Sequence, residues 1–215
     1  MGATTASKEI EEVHVDYPDR NDANTTVLLF HHAQGQTRGF LAFADELRAA
    51  GHTVHAPDLY EGRTFATVEE GVAHAQKVGF GEIMRRGIAT ADSLPTDIVY
   101  AGFSLGVMPA QSLTQRRAGA RGALFYHGCV SPSEFGSWPT GIPVEIHMME
   151  KDKWVEEDLD AAKALVKEVP NAKLFMYPGS GHLFADSSST DYDPAAAALL
   201  KERTFAFLRR VAVSS

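Results

Sequence analysis

The sequence predicts an α/β fold whose mostly parallel, twisted sheet is flanked by helices on both faces. Short apolar segments of strand length alternate along the chain with longer segments that carry apolar residues at helical spacing. The strand-like segments are apolar throughout, as expected of strands buried on both faces. Strands that alternate with helices pair in parallel, because each helix carries the chain back across the sheet. With 215 residues, 44% of them hydrophobic, we predict a single domain over residues 1–215.

The first half of the chain contains three of these strand-like segments. Phe40, Phe43 and Leu47 lie at helical spacing, and Gly51 follows them where a helix C-terminus favours glycine. The predicted order is a strand over 26–31, a helix over 38–50, a strand over 52–56, a mostly helical stretch over 68–94 interrupted at 79–81, and a strand over 97–101.

The second half repeats the alternation and ends in a helix. Asp193 suits the N-cap of that helix and Pro194 suits its first position. The predicted order is a helix over 104–117, strands over 122–126 and 143–149, an amphipathic helix over 154–169, a strand over 173–177 and the final helix. A loop over 131–142 is rich in proline and glycine and is too short for a lid domain, so we predict none.

Composition excludes several classes of protein. The formal charge of −8 gives no basic face for a nucleic acid, so we expect no nucleic-acid partner. A lone cysteine, Cys129, excludes a disulfide within the chain and disfavours a cysteine-based zinc site. The segment 1–10 lacks the apolar core of a signal peptide, and no apolar run is long enough to span a bilayer. We therefore expect a cytoplasmic protein without a membrane partner.

One motif carries the chemistry. Gly102-Phe103-Ser104-Leu105-Gly106 directly follows a predicted strand and directly precedes a helical segment. A G-x-S-x-G sequence in this context is typical of the nucleophile elbow of the α/β-hydrolase fold, where a tight turn lifts the serine hydroxyl above the sheet. Glycine at both ends removes the side chains that such a turn would bring into collision. Ser104 is therefore our candidate nucleophile, and the alternative is a serine that merely caps a helix.

A nucleophilic serine needs a base, and the base needs an acid that orients it. In this fold the chain order is Ser, then Asp or Glu, then His. Asp152 and His182 each follow a predicted strand and complete that order at the same sheet edge as Ser104. His127 is a weaker candidate for the base because it precedes the acid. The acids near Asp152 are its rivals, and the last three of them suit a solvated helix face: Glu150, Glu156, Glu157 and Asp158.

An oxyanion hole needs two backbone N–H donors. The first is Leu105, which follows the nucleophile, and the second belongs to the loop after the first strand, where we choose Ala33. The adjacent His31 and His32 in that loop suggest a metal site. Neighbouring side chains point apart, however, and no cysteine or carboxylate cluster lies nearby in sequence, so we predict no metal and no cofactor.

These residues resemble the dienelactone hydrolase family, and the matching stretches cover most of the chain from Thr26 onward. The resemblance implies a small, lidless enzyme that acts on an ester or lactone, with a triad of Ser104, Asp152 and His182 and with Ala33 as oxyanion donor. Serine replaces the cysteine of the founding members, and His32 replaces a glutamate that controls the thiol. The matching stretches read HHAQG, APDLYEGR, GFSLG, LFYHG, EKD, PGSGHLFAD and RTFAFLRR.

The resemblance also bears on the substrate. The founding enzymes hold a substrate carboxylate with two arginines, and Arg63 occupies the place of one of them. Asp186 stands where the other is expected, and an acid repels a carboxylate at short range, so a neutral ester is favoured over dienelactone. Tyr126 and Trp154 lie at strand ends near the predicted pocket and are candidates to line it together with His32, although aromatic residues at such positions more often pack in the core.

The sequence thus predicts a serine hydrolase that cleaves a small-molecule carboxylic ester or lactone through an acyl-enzyme on Ser104. We expect a monomer or a homodimer. Two alternatives stay open: a catalytically silent member of the fold that only binds a ligand, and an acyltransferase that uses the same triad with an acceptor other than water.

Overall fold

The computed structural model describes residues 24–212, and the predicted extent of the domain, 1–215, stays a prediction. The segment 1–10 lies outside the described residues. Six strands alternate with six α-helices: β1 Thr26–Phe30, α1 Arg38–Ala49, β2 Thr53–His55, α2 Val68–Val78, α3 Phe80–Thr90, β3 Val99–Phe103, α4 Val107–Arg116, β4 Gly122–Tyr126, β5 Val144–Met149, α5 Glu156–Glu168, β6 Ala172–Tyr177 and α6 Pro194–Ala212.

The strands form one sheet in the order β2-β1-β3-β4-β5-β6, and every pair in it is parallel. From β1 the chain first moves outward to β2 and then returns to the other side of β1 for β3. This reversal leaves a crevice beyond the carboxyl ends of β1 and β3, which is where open parallel sheets bind ligands. The predicted nucleophile and the predicted oxyanion loop follow these two strands.

Two hydrophobic clusters cover the two faces of the sheet. Alternate residues of each strand point to opposite faces, so that Val27 and Leu29 join one cluster while Leu28 and Phe30 join the other. Helices α1 and α6 contribute to the first cluster, and α2 to α5 contribute to the second. Both faces are thereby buried, which confirms the predicted α/β-hydrolase architecture and accounts for the absence of polar alternation along the strands.

The predicted helical run over 104–117 differs from the structure at its start. Ser104–Gly106 form a turn of 3₁₀ helix, and α4 begins only at Val107. The strand before it also runs two residues further than predicted, because Gly102 pairs with β1 and Phe103 pairs with β4. The sheet therefore continues up to the serine itself.

No helix within 24–212 is both long and apolar enough to cross a membrane.

Candidate active site

Ser104 occupies a strained turn at the carboxyl end of β3. Its φ is +48°, in the left-handed region that non-glycine residues rarely adopt. A Cβ on Gly102 would lie 2.1 Å from the Gly106 carbonyl oxygen, and one on Gly106 would lie 2.6 Å from that of Phe30. Both glycines are thus required by close backbone contacts, as the motif predicted. The second contact also seats the start of the helical run on the end of β1.

The structure brings the three predicted polar residues together. The Ser104 hydroxyl lies 2.8 Å from Nε2 of His182, and Nδ1 of His182 lies 2.7 Å from Oδ2 of Asp152. Asp152 and His182 are 5% and 4% exposed, so that the carboxylate–imidazole contact is shielded from water. An acceptor at Nδ1 fixes the tautomer with the proton there, which leaves the Nε2 lone pair for the Ser104 hydroxyl.

The loop that carries His182 is anchored by a second carboxylate. Asp191 Oδ2 accepts hydrogen bonds from the backbone N–H groups of His182, at 3.0 Å, and Leu183, at 3.4 Å. Gly181 permits this fold of the loop, because a Cβ there would lie 2.6 Å from the Asp191 carbonyl oxygen. Asp191 was not singled out from the sequence, since a loop aspartate nine residues after a histidine has no distinguishing pattern.

Asp152 is held by a turn that also places an aromatic ring at the site. Its Oδ1 accepts a hydrogen bond from the Trp154 N–H at 2.9 Å, while Oδ2 faces His182. The Trp154 indole lies 5.9 Å from the His182 imidazole, between ring centroids, and remains 44% exposed. An apolar ring beside the imidazole can contact a bound substrate.

The predicted oxyanion donors lie on adjoining elements. Leu105 is at the start of the helical run, where N–H groups lack intrahelical partners, and the Ala33 N–H donates to no group among residues 24–212. Gly71 of α2 supports the Ala33 turn from behind, since a Cβ there would lie 2.0 Å from the Ala33 carbonyl oxygen. His31 fixes the same turn with its Nδ1–H donated to the His32 carbonyl at 2.8 Å and its Nε2 accepting from Leu59 N–H at 3.0 Å.

Comparison with known proteins identifies the family. The model of the dienelactone hydrolase family matches residues 12–212. The chain belongs to this family. A protein of Azospirillum brasilense that is named provisionally as a carboxymethylenebutenolidase is 38% identical over 69 residues, a segment that spans 32% of this chain and 30% of that protein. The family membership agrees with the predicted class of enzyme, a carboxylic ester hydrolase.

Solved structures share the fold at low sequence identity. A dienelactone hydrolase-like promiscuous phosphotriesterase from metagenomic libraries has a TM-score of 0.71 and 16% identity, with 88% of this chain and 87% of that chain covered. Esterase 2 of Thermogutta terrifontis, phosphonylated by cyclosarin, has a TM-score of 0.64 and 16% identity, with 92% and 86% covered. Both confirm the predicted fold.

In this member of the dienelactone hydrolase family, His32 and Asp186 do not face the substrate, which corrects two expectations. Both are buried, and Nε2 of His32 lies 2.8 Å from Oδ2 of Asp186. His32 is therefore not a substrate contact. Asp186 also cannot contact a substrate carboxylate, because its side chain is buried and its oxygens accept hydrogen bonds within the protein. Their partnership joins loops 154 residues apart, which no local pattern reveals.

Tyr126 is a third correction. It is completely buried, and its hydroxyl pairs with that of Thr204 in α6 at 2.9 Å. The ring packs on the face of the sheet opposite α4, away from the crevice.

Arg63, by contrast, is exposed in the turn after Tyr60, and its role as a substrate contact stays a prediction. Cys129 is buried, and burial raises the pKa of its thiol well above the usual range.

His127 is a buried neighbour of the site that sequence order ruled out as the base. Its ring lies 6.0 Å from that of His182 and 4.6 Å from that of Phe184, and its φ is +62°. Neither ring nitrogen has a hydrogen-bond partner among the described residues, and burial holds its pKa well below the ordinary value.

Asp158 is a smaller correction. Its Oδ2 accepts a hydrogen bond from the Cys129 N–H at 3.2 Å, so this side chain does not lie on a purely solvated helix face.

The adjacent histidines of the Ala33 turn are fully engaged with protein groups. Burial lowers the pKa of His31 to about 4, despite its bond to the His32 carbonyl, so this imidazole is neutral near pH 7. Within the described part of the chain, no group of three or more His, Cys, Asp or Glu side chains could hold a metal ion.

Proposed function

We propose that this protein is a serine hydrolase that cleaves a carboxylic ester or lactone through an acyl-enzyme on Ser104. The observation that carries the proposal is the continuous contact from the Ser104 hydroxyl through His182 to Asp152, at 2.8 and 2.7 Å. An alcohol is a weak nucleophile until a base removes its proton as it attacks, and this arrangement supplies that base with an orienting acid. The family membership supports the same reaction class.

The proposed reaction proceeds in two acyl transfers. Ser104 Oγ attacks the substrate carbonyl carbon while its proton passes to Nε2 of His182, and Asp152 stabilises the resulting imidazolium. The tetrahedral intermediate collapses, and the same proton goes to the departing alcohol. Water then attacks the acyl-enzyme, giving a proton to His182, which returns it to Ser104 Oγ as the carboxylic acid leaves. The enzyme ends each cycle unchanged.

Leu105 and Ala33 are proposed to stabilise the oxyanion with their backbone N–H groups. Donors fixed before the reaction stabilise the developing charge without reorganising, and loss of one such donor typically costs about 10²–10³ in rate. The strained φ of Ser104 and the glycine contacts around it support this role, since they place the start of the helical run against the end of β1. The positive end of the helix dipole adds to the stabilisation.

The proposed substrate is a small neutral ester or lactone. Asp186 stands in the place of the second arginine, is buried against His32, and offers no cation to hold a substrate carboxylate. Trp154 offers an exposed apolar ring beside His182. We further propose that the enzyme acts in the cytoplasm as a monomer or a homodimer without a cofactor, membrane or nucleic-acid partner. The formal charge of −8 supports the last point, because it disfavours a phosphate backbone.

The deciding experiment replaces Ser104 with alanine and measures turnover of a short activated ester. Ser104→Ala is expected to lower kcat by about 10⁴-fold or more, because no other group can carry the acyl chain. Ser112→Ala is the matched control, since this buried serine lies on the following helix and its hydroxyl has no hydrogen-bond partner among the described residues. It is expected to keep full activity.

A covalent probe separates the alternatives. A fluorophosphonate is expected to label the wild type and Ser112→Ala on Ser104, because phosphonylation requires an activated serine; the related Thermogutta terrifontis esterase 2 is known in a phosphonylated form. Ester turnover that survives in Ser104→Ala would overturn the proposal. Labelling without hydrolysis of any ester or lactone would favour transfer to another acceptor, and no labelling would favour a silent binding protein.

A further inference from the structure

Two loops of the site meet at one buried carboxylate, that of Asp186. Its Oδ2 accepts hydrogen bonds from Nε2–H of His32, at 2.8 Å, and from the Thr37 hydroxyl. Its Oδ1 accepts from the backbone N–H of Ser188, at 2.7 Å, and from the hydroxyl of the same residue, at 2.8 Å. The side chain is 1% exposed. All four bonds are made with charge on the acceptor, which makes them shorter and stronger than neutral ones.

Asp186 belongs to the loop that carries the proposed base. Its N–H bonds to the Leu183 carbonyl at 3.0 Å, which closes a tight turn immediately after His182. Any displacement of this carboxylate therefore moves the backbone next to the imidazole that faces Ser104.

His32 belongs to the other loop and encloses the proposed oxyanion donor. Its Nδ1 accepts the N–H of Gln34 at 3.2 Å, so the imidazole bridges the two neighbours of Ala33. This closed ring restricts the dihedral angles on both sides of the Ala33 residue. Because Nδ1 is an acceptor, the proton of a neutral ring lies on Nε2, where it is donated to Asp186.

Helix α1 closes over the same carboxylate. Thr37 caps the helix by accepting from Phe40 N–H at 3.2 Å while its hydroxyl proton goes to Asp186. A Cβ on Gly39 would lie 1.8 Å from Asp186 Oδ1, so only glycine allows the helix to approach this far. Burial alone would raise the pKa of Asp186, but the bonds from His32, Thr37 and Ser188 lower it well below its ordinary value. The carboxylate is thus charged near neutral pH.

We propose that His32 and Asp186 are positioning residues that hold the Ala33 N–H in register with His182, so that the oxyanion hole and the general base are aligned as one unit. This inference rests on the proposed function. A misplacement of about 1 Å in a catalytic group costs on the order of 10²-fold in rate. A pair that fixes two such groups against each other therefore acts mainly on the transition state.

The test compares variants that remove one side of the connection at a time. His32→Asn keeps an acceptor near the Nδ1 position for Gln34 N–H but is too short to reach Asp186. His32→Gln keeps a donor near the Nε2 position for Asp186 but loses the bond to Gln34. Asp186→Asn keeps the shape of the side chain, but its amide N–H₂ group is a donor and cannot accept the hydrogen bonds that one carboxylate oxygen accepts. We expect kcat to fall by about 10- to 100-fold in His32→Asn and Asp186→Asn, and less in His32→Gln, with KM changed less than about threefold.

The readout that a merely structural role would not move is the affinity for a tetrahedral analogue. A trifluoromethyl ketone forms an adduct with the serine whose oxygen occupies the oxyanion hole, and its inhibition constant is expected to rise in proportion to the loss of kcat/KM across the series. Asp191→Asn is the matched control, because it perturbs only the His182 loop. It is expected to lower the rate with a smaller change in the inhibition constant.

Each outcome is decisive. A lowered melting temperature with kcat and inhibitor affinity unchanged per folded molecule in His32→Asn would overturn the inference. If Asp186→Asn does not fold, the two His32 variants still carry the comparison, and equal values for them would overturn the connection through Asp186. Ser104→Ala is measured alongside the other variants. Turnover that is retained in Ser104→Ala would overturn the proposed function. If Ser104→Ala loses turnover while the His32 variants keep wild-type activity, the positioning role alone would be overturned.

Discussion

At the scale of single residues, Trp154 is the exposed aromatic side chain beside the candidate base, and its contact with substrate stays a prediction. Its backbone N–H holds the acid of the candidate triad, while its indole lies beside the His182 imidazole and is 44% exposed. The side chain can therefore be changed without removing the bond to Asp152. Contacts between aromatic rings are worth about 0.5–1.5 kcal/mol beyond the area they bury.

We predict that Trp154→Ala raises KM for phenyl acetate by about 2- to 13-fold, which is the ratio that such a contact energy gives. KM for ethyl acetate is expected to change little, because an ethyl group offers no ring to stack, and kcat is expected to stay within about threefold for both. Trp154→Phe keeps a ring and should recover most of the loss. An equal effect on both esters would exclude stacking as the reason for this exposed side chain.

At the scale of elements, α2 shows how a helix supports a loop across the sheet edge. Gly71 lies inside this helix, where glycine is unfavourable by about 1 kcal/mol relative to alanine. The structure gives the compensating reason, since a Cβ there would lie 2.0 Å from the carbonyl oxygen of Ala33 and 3.0 Å from Gln34 N. The glycine allows the helix to approach the turn whose N–H is proposed to bind the oxyanion.

Gly71→Ala is accordingly predicted to lower both kcat and the free energy of unfolding, despite the gain in helix propensity. Gly81→Ala in α3 is the matched control, because a Cβ at that position meets nothing within 4 Å. The control should keep its activity and gain a few tenths to about 1 kcal/mol from the lower entropy of the unfolded chain. Urea denaturation and ester turnover measure the two effects, and a stabilised, fully active Gly71→Ala would refute the supporting role of α2.

The strands and helices were predictable from the sequence where the local pattern of apolar, glycine and proline residues determines them. Apolar runs and glycine or proline boundaries identified every strand in 24–212, and the chain order of Ser104, Asp152 and His182 placed three side chains at one edge. The end of β3 was wrong by two residues because pairing with both neighbours continues through Gly102. The direction of Tyr126 was not predictable either, since a strand buried on both faces gives no polar alternation to show which way a side chain points.

At the scale of the whole molecule, three buried histidines link stability to pH. Burial lowers the pKa of His31 to about 4 and that of His147 to about 3, and it lowers the pKa of His127 well below its ordinary value. All three are neutral in the folded protein at pH 5.5, whereas the unfolded chain binds a proton at each of them near pH 6.5. The unfolded state therefore binds more protons, and the free energy of unfolding falls as the pH decreases.

The last prediction is the size of this decrease and its dependence on His127. Between pH 7.5 and pH 5.5 each histidine is expected to cost on the order of 1 kcal/mol, because one pKa unit corresponds to about 1.4 kcal/mol. Carboxylates with lowered pKa values, such as Asp186, add nothing in this window, since their stabilisation is lost only as the pH falls below about 4. His127→Phe is expected to reduce the difference between the two pH values by roughly 1 kcal/mol in urea denaturation. Any change that the phenylalanine ring causes in the free energy of unfolding at φ +62° is the same at both pH values, so it cancels in that difference. A variant with the same pH dependence as the wild type would show that His127 is protonated in the folded protein.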